Sequence, residues 1–222
     1  MIPWVLLGSA KVPGDDGELR LYQRGSEFSI RIGQYELMNS RVHGSEDALG
    51  LLAAQRVRAR ARVLVGGLGM GFTTAALLKE LGPGGEVIVA ELVPEVVAWN
   101  RGPLGEVAGY PIDDTRVQVR EGDVAAILRS EINAWDAILL DVDNGPAGMT
   151  AKANDWLYTL EGLRASHQAL RSGGMLAIWS SGDDASFTKR MKQAGFATEK
   201  IPVRGRGAAG GPRYLIWAGT RS

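Results

Sequence analysis

Cysteine is absent from this 222-residue chain, which excludes a disulfide framework and any thiolate metal site. Histidine occurs only twice, and no His/Asp/Glu spacing suggests a ligand set, so no metal is expected. An excess of charge is missing too: 25 basic residues balance 25 acidic ones, and nothing points to nucleic acid as a partner. No apolar run approaches membrane-spanning length. The apolar start, residues 1–7, lacks a basic lead and is soon broken by Gly8 and Pro13, unlike a secretory signal. A cytoplasmic protein with no membrane partner is the expectation. The length suits one α/β domain with a small appendage.

What the chain does have is a glycine turn. Val63-Leu64-Val65 reads as the end of a buried strand, and Gly66-Gly67-Leu68-Gly69-Met70-Gly71 follows it. Residues 72–81 then read as a helix. Glycine tolerates positive φ and lets backbone approach a ligand, while a helix N-terminus aims free N–H groups at it. A plain tight βα connection would look the same, so the remaining strand ends must decide.

Before this turn, residues 1–44 look β-rich. Residues 18–23 and 27–32 alternate polar and apolar around a turn at 24–26, and 34–39 offers a third strand. Such a sheet buries little alone and is expected to pack on the main domain, 45–222, or on another subunit. Ser45 reads as an N-cap, with Glu46 and Asp47 in the first turn. Arg56, Arg58, Arg60 and Arg62 form a basic run, read as helix-end cations and a solvated strand start rather than an anion site. After residue 62, strands at 63–66, 86–91, 115–120, 136–141, 175–180, 196–203 and 213–219 alternate with helices at 72–81, from 94 to about 101, 123–130, 152–171 and 184–194. That pattern predicts a mostly parallel seven-stranded sheet with helices on both faces and ligands at the carboxyl ends of its strands.

Those ends are polar. The second strand ends in Glu91, twenty positions after Gly71, where a carboxylate can accept from both ribose hydroxyls of a nucleoside. The third ends in Glu121-Gly122-Asp123; Asp123 can cap its helix or accept from an exocyclic amine such as adenine's. The fourth ends in Asp141-Val142-Asp143-Asn144-Gly145-Pro146. Crowded carboxylates there can raise one pKa, which suits a base toward an amine or hydroxyl, or can hold a cationic amine or sulfonium. An Asx-type turn is the structural alternative. Phe72 stands where a dinucleotide fingerprint has its third glycine, which lowers that reading.

Together these motifs resemble the class I S-adenosylmethionine-dependent methyltransferase fold and, within it, the spermidine synthase (polyamine aminopropyltransferase) family, over about residues 18–200. The resemblance implies an α/β Rossmann-like fold, and a nucleoside site built from Gly66, Gly67, Gly69, Gly71, Glu91, Gly122, Asp123 and Asp141. It makes Asp141 the base that deprotonates the attacking amine. It also implies a homodimer and a small β-domain covering the site. Departures bear on the reaction. The family's glycine-loop Asp, which meets the amine end of decarboxylated S-adenosylmethionine, falls at Gly69. Its Asp-Glu-Phe-x-Tyr segment appears as Ser45-Glu46-Asp47-Ala48-Leu49. Trp179 stands near a usual Gln.

Asp141 and Asp143 are therefore the candidate catalytic residues. Asn144, His43, Trp156 and Tyr158 are candidate contacts to a small-molecule acceptor, although His43 reads more readily as a surface loop histidine and core packing is an equal reading for Trp156 and Tyr158. Residues 204–213 read as a flexible basic loop, expected to be disordered rather than closed over an anionic acceptor. Because Gly69 would not repel a carboxylate, methyl transfer from intact S-adenosylmethionine leads. Aminopropyl transfer from the decarboxylated form to a polyamine, and nucleoside binding without catalysis, are the alternatives.

Overall fold

The structure, a computed structural model, describes residues 2–14, 17–142 and 152–222. Asp143 and Asn144, proposed above as site residues, lie outside the described residues.

Four strands, β1 (Val5–Lys11), β2 (Glu18–Arg24), β3 (Glu27–Ile32) and β4 (Tyr35–Asn39), form an antiparallel meander. The β2–β3 turn pairs Arg24 with Glu27 and needs the positive φ of Gly25. This sheet does not stand alone: Leu21, Phe28 and Ile30 share a core with Val63 and Val65. It also leans on a helix of the main sheet, since a Cβ on Gly8 would lie 3.0 Å from Trp99 Nε1.

The main sheet contains β5 (Arg62–Gly66), β6 (Glu86–Glu91), β7 (Val117–Glu121), β8 (Trp135–Leu140), β9 (Leu170–Ser180), β10 (Phe196–Arg204) and β11 (Arg213–Arg221), in the order β10-β11-β9-β8-β5-β6-β7. Strands β5 to β9 pair in parallel, and β11 runs antiparallel to both its neighbours. From β5 the chain steps outward to β6 and β7, then returns to the opposite side of β5 for β8. The order therefore reverses between β5 and β8, which is where such sheets open a crevice at their carboxyl ends.

Helices α1 (Gly44–Arg56), α2 (Phe72–Glu80), α3 (Pro94–Arg101), α4 (Gly105–Ala108), α5 (Val124–Ser130), α6 (Leu160–Ala169) and α7 (Ala185–Gln193) cover the sheet. Both faces are dry. Val63 and Val65 of β5 bury with Leu49 and Leu77 on one side, while Leu64 buries with Leu128, Leu163 and Phe187 on the other. A strand buried on both faces must be apolar at every position, which is why residues 63–65 show no alternation. The two ends of the basic run are paired: Arg56 with Glu199, and Arg62 with Glu86 and Glu131.

Strand β1, helix α4 and the early start of β9 at Leu170 are absent from the sequence reading, and three further elements differ from it. The helix expected over 152–171 splits: a 3-10 turn at Lys152–Tyr158 ends before Thr159, whose hydroxyl caps α6 through Gly162 N–H at 3.1 Å. Helix α1 starts one residue before Ser45; Gly44 N–H is satisfied by Gly205 C=O at 2.8 Å, so no side-chain cap is needed. That contact also orders the loop at 204–213, where Gly205 N–H reaches Pro212 C=O and Arg206 N–H reaches Gly210 C=O, both at 2.9 Å. The loop is held by backbone hydrogen bonds rather than disordered.

Helices α1 and α2 cross in close contact at Gly50, where an added Cβ would lie 2.3 Å from Thr73 C=O and 2.7 Å from Leu77 N. Gly50→Ala is expected to push the helices apart and cost about 1–3 kcal/mol, as overpacking does. Thermal unfolding would then shift down by several degrees; an unchanged midpoint would show that the crossing is not this tight.

Candidate functional site

The glycine loop gets its shape from its neighbours. Register carries Gly66 of β5 beside Leu140 of β8, and Asp141 N–H then donates to Gly66 C=O at 2.9 Å. Gly67 sits at φ +90° against this seam, where a Cβ would fall 2.2 Å from Asp141 C=O. Only glycine fits there. Asn100, buried on α3, donates from Nδ2 to Gly69 C=O at 2.8 Å and to Val96 C=O at 2.9 Å. Gly71, at φ +85°, starts α2 without a side-chain cap.

Glu91 closes the loop from the end of β6. Leu68 N–H donates to one carboxylate oxygen at 2.8 Å and Val93 N–H to the other at 2.9 Å. The side chain is buried, and burial pushes its pKa up while these backbone donors pull it back. Gly122 N–H donates to Glu91 C=O at 2.7 Å and so brings the end of β7 alongside. Asp123 caps α5 through Ala125 N–H at 2.8 Å, the structural role foreseen for it, and still borders the crevice.

A cavity of about 400 Å³ opens at these strand ends. Its floor carries Gly67, Gly69, Glu91, Gly122, Asp123 and Asp141; strands of the small sheet roof it with Ile30, Ile32 and Met38. Asp141 accepts from Thr73 Oγ1 at 2.6 Å. Across from it stand Trp179 and Tyr214, with ring centroids 4.9 Å apart. Gly66 and Gly71 support the loop from behind rather than lining this space.

The sequence reading missed Glu46 as a lining residue. Helix α1 carries it into the cavity beside Asp141. Burial, and then the charge of Asp141, raise its pKa to about 7. Asn100 and Met38 were missed as well. For Asn100 a signal exists, a polar side chain within the apolar run Val96, Val97, Trp99; for Glu46 the signal is its place in the segment that stands for the family's Asp-Glu-Phe-x-Tyr, obscured because acids in a first helical turn are common.

The other candidates lie elsewhere. His43 stacks on Phe72 at 3.9 Å between centroids, with Nδ1 2.8 Å from Asp47, and does not line the cavity. Trp156 lies under the Arg129 guanidinium at 3.8 Å, and Tyr158 is buried edge-on to Phe187; both belong to the core beneath α5–α7. Among the described residues no group of three or more His, Cys, Asp or Glu could hold a metal ion, and no helix is long and apolar enough to cross a membrane.

Glu46 also carries a stability signature. Between its ordinary value of 4.5 and about 7, the native state holds a proton that the unfolded chain has lost. Its contribution therefore falls as pH rises across that window, by about 1.4 kcal/mol per unit of raised pKa at most. Denaturant unfolding of the native chain and of Glu46→Gln from pH 5 to 8 is expected to show the variant gaining stability relative to the parent as pH rises. A constant difference would contradict the assignment.

Comparison with known proteins matches this architecture. No family model matches the sequence. The chain is 31% identical over 121 residues to a polyamine aminopropyltransferase of Korarchaeum cryptofilum (strain OPF8); that stretch is 54% of this chain and 36% of the relative, so the match spans little more than a third of the relative's length. The spermidine synthase of Thermotoga maritima superposes with a TM-score of 0.77 at 16% identity, covering 98% of this chain and 73% of that one. A spermidine synthase in complex with the transition-state analogue AdoDATO gives 0.75 at 16%, over 98% and 72%. A probable spermidine synthase from Corynebacterium glutamicum ATCC 13032 gives 0.67 at 16%, over 97% and 80%. The chain thus shares the fold of these spermidine synthases, an α/β Rossmann-like sheet with helices on both faces, and resembles the polyamine aminopropyltransferase over about half its length.

Proposed function

We propose that this chain is an aminopropyltransferase, moving the aminopropyl group of decarboxylated S-adenosylmethionine to a small amine. The observation that carries this reading is the charge of the cavity. Glu36, Glu46, Glu91, Asp123 and Asp141 line it, and among the described residues no Lys, Arg or His does. Residues 143–151 contribute no basic residue by sequence either. Intact S-adenosylmethionine brings an α-carboxylate that would meet acids without a counter-ion. At an effective dielectric near 20, like charges about 6 Å apart repel by about 3 kcal/mol. Decarboxylation removes that penalty and leaves an ammonium.

Gly69 does not restore the case for methyl transfer. A Cβ there would lie 2.8 Å from Met38 Cε and 3.0 Å from Met38 Sδ, so the missing loop acid has been replaced by an apolar side chain rather than by room for a carboxylate. The names of the similar proteins, a polyamine aminopropyltransferase and spermidine synthases, support the same choice.

In this reading Glu91 takes the ribose hydroxyls, Gly122 and Asp123 border the adenine, and the sulfonium lies over the loop toward Asp141. The sulfonium is already an activated electrophile, so the protein's part is alignment and removal of one proton. Asp141 takes the proton of the acceptor ammonium. The amine then attacks the methylene next to sulfur; the C–S pair returns to sulfur, and methylthioadenosine leaves as a neutral thioether. Asp143 and Asn144 are proposed to hold the acceptor. The exposed apolar residues Val5, Leu6 and Leu7 of β1 support a homodimer.

Titration calorimetry is expected to show decarboxylated S-adenosylmethionine binding at least about tenfold more tightly than the intact form, as a 1.4 kcal/mol difference gives. Supplying an aliphatic diamine is expected to release methylthioadenosine. Asp141→Asn is expected to cut turnover about 10²- to 10⁴-fold and spare donor binding. Formation of S-adenosylhomocysteine, or tighter binding of the intact donor, would overturn the proposal.

A further inference from the structure

Five acids line the cavity, and four have visible employment. Glu91 is held by two backbone N–H groups. Asp123 caps α5. Glu36 accepts from Ser29 Oγ at 2.7 Å and Asn39 Nδ2 at 2.8 Å, with Arg31 at 3.9 Å. Asp141 receives the Thr73 hydroxyl at the mouth of the glycine loop. Glu46 is different. It is largely shielded from water, its side-chain partner is the neutral Ser45 hydroxyl, and no cation pairs with it among the described residues. Helix dipole complementarity alone would leave such a residue on the outer face of α1. Here it faces inward.

Its surroundings are built for a cation. The Thr73 hydroxyl lies 3.4 Å from Glu46 C=O and 2.6 Å from Asp141 Oδ2, so α1, α2 and the end of β8 meet at one point. The ionisable groups facing Glu46 are Asp141 from the end of β8, Tyr214 from β11 and Asp47 on its own helix, all acids. The Trp179–Tyr214 pair adds aromatic surface to the same cavity, which favours organic ammonium groups. A second negative charge beside Asp141 is costly in an empty site and becomes favourable when an ammonium enters.

We propose that Glu46 is the donor-selecting residue: its carboxylate receives the terminal ammonium of the aminopropyl group and repels the α-carboxylate of an intact donor, leaving Asp141 to the acceptor amine. This rests on the aminopropyltransferase reading above. It relocates donor recognition from the glycine loop, where Met38 fills the space at Gly69, to the first turn of α1. The raised pKa of Glu46 adds a signature. An arriving cation lowers that pKa from about 7, so binding near neutrality expels part of a proton.

The test is calorimetry on the full chain and on Glu46→Gln with three ligands: decarboxylated S-adenosylmethionine, the intact donor, and methylthioadenosine, which lacks both ammonium and carboxylate. Glu46→Gln is expected to lose about ten- to a hundredfold in affinity for the decarboxylated donor, the range for one charge-assisted hydrogen bond. Methylthioadenosine affinity is expected to stay unchanged, and the intact donor to bind equally or better. Repeating the titrations in buffers of different ionisation enthalpy is expected to reveal proton release with the decarboxylated donor, abolished in Glu46→Gln and absent with methylthioadenosine. A variant that discriminates between the two donors as the parent does, or one that loses methylthioadenosine in parallel, would overturn the role of Glu46. A parent chain that fails to prefer the decarboxylated donor would instead overturn the aminopropyltransferase reading beneath it.

Discussion

Glu91 is a carboxylate buried at the end of a strand, solvated by peptide groups rather than by a cation. Leu68 N–H and Val93 N–H approach its two oxygens. Stripped of water, the charge must find donors, and the nearest belong to the glycine loop and to the turn before α3. That requirement fixes where the loop goes. Gly67 must then pass against Asp141 C=O, which only a residue without Cβ can do at φ +90°. Asn100 holds the next carbonyl, at Gly69. The loop is thus anchored from β6, β8 and α3, and the nucleoside of the proposed function would meet a pocket that needs little ordering to receive it.

The same economy of charge extends to the rest of the cavity. The sheet delivers acids to adjoining strand ends, α1 adds Glu46, and the described lining holds no Lys, Arg or His. A sulfonium and an ammonium are the charges such a space can stabilise. The small N-terminal sheet completes it by roofing rather than by charge: Ile30, Ile32 and Met38 displace water above the loop, which strengthens every electrostatic interaction below. The apolar roof and the acidic floor are therefore one device, and the β1–β4 meander is part of the site although it lies outside the parallel sheet.

Much of this was legible in the sequence. A buried strand running into glycines, then Glu91, Gly122–Asp123 and Asp141 at successive strand ends, reveals the floor because each is a local signal at a predictable distance. What stayed hidden depends on contacts between distant segments. Glu46 looks like any acid in a first helical turn until α2 and β8 enclose it. The loop at 204–213 reads as disordered because glycine and arginine favour that, yet Gly44 and Gly205 lock it through backbone atoms that no side-chain pattern reports. Trp156 and Tyr158 follow the Asp141 turn in sequence, and only the break at Thr159 turns them into the core. His43 reads more readily as a loop histidine than as an acceptor contact, and its stacking on the Phe72 ring, outside the cavity lining, agrees with that preference. Gly69 taught the opposite lesson: a missing acid suggested room for a carboxylate, and Met38 from another sheet fills it.

The most direct test of the account is a crystal structure of the chain with methylthioadenosine bound. The account predicts the nucleoside across the carboxyl ends of β5, β6 and β7, both ribose hydroxyls within about 3.2 Å of the Glu91 carboxylate and the adenine beside Gly122 and Asp123. A nucleoside bound elsewhere, or one whose sugar stands beyond hydrogen-bonding distance of Glu91, would contradict it.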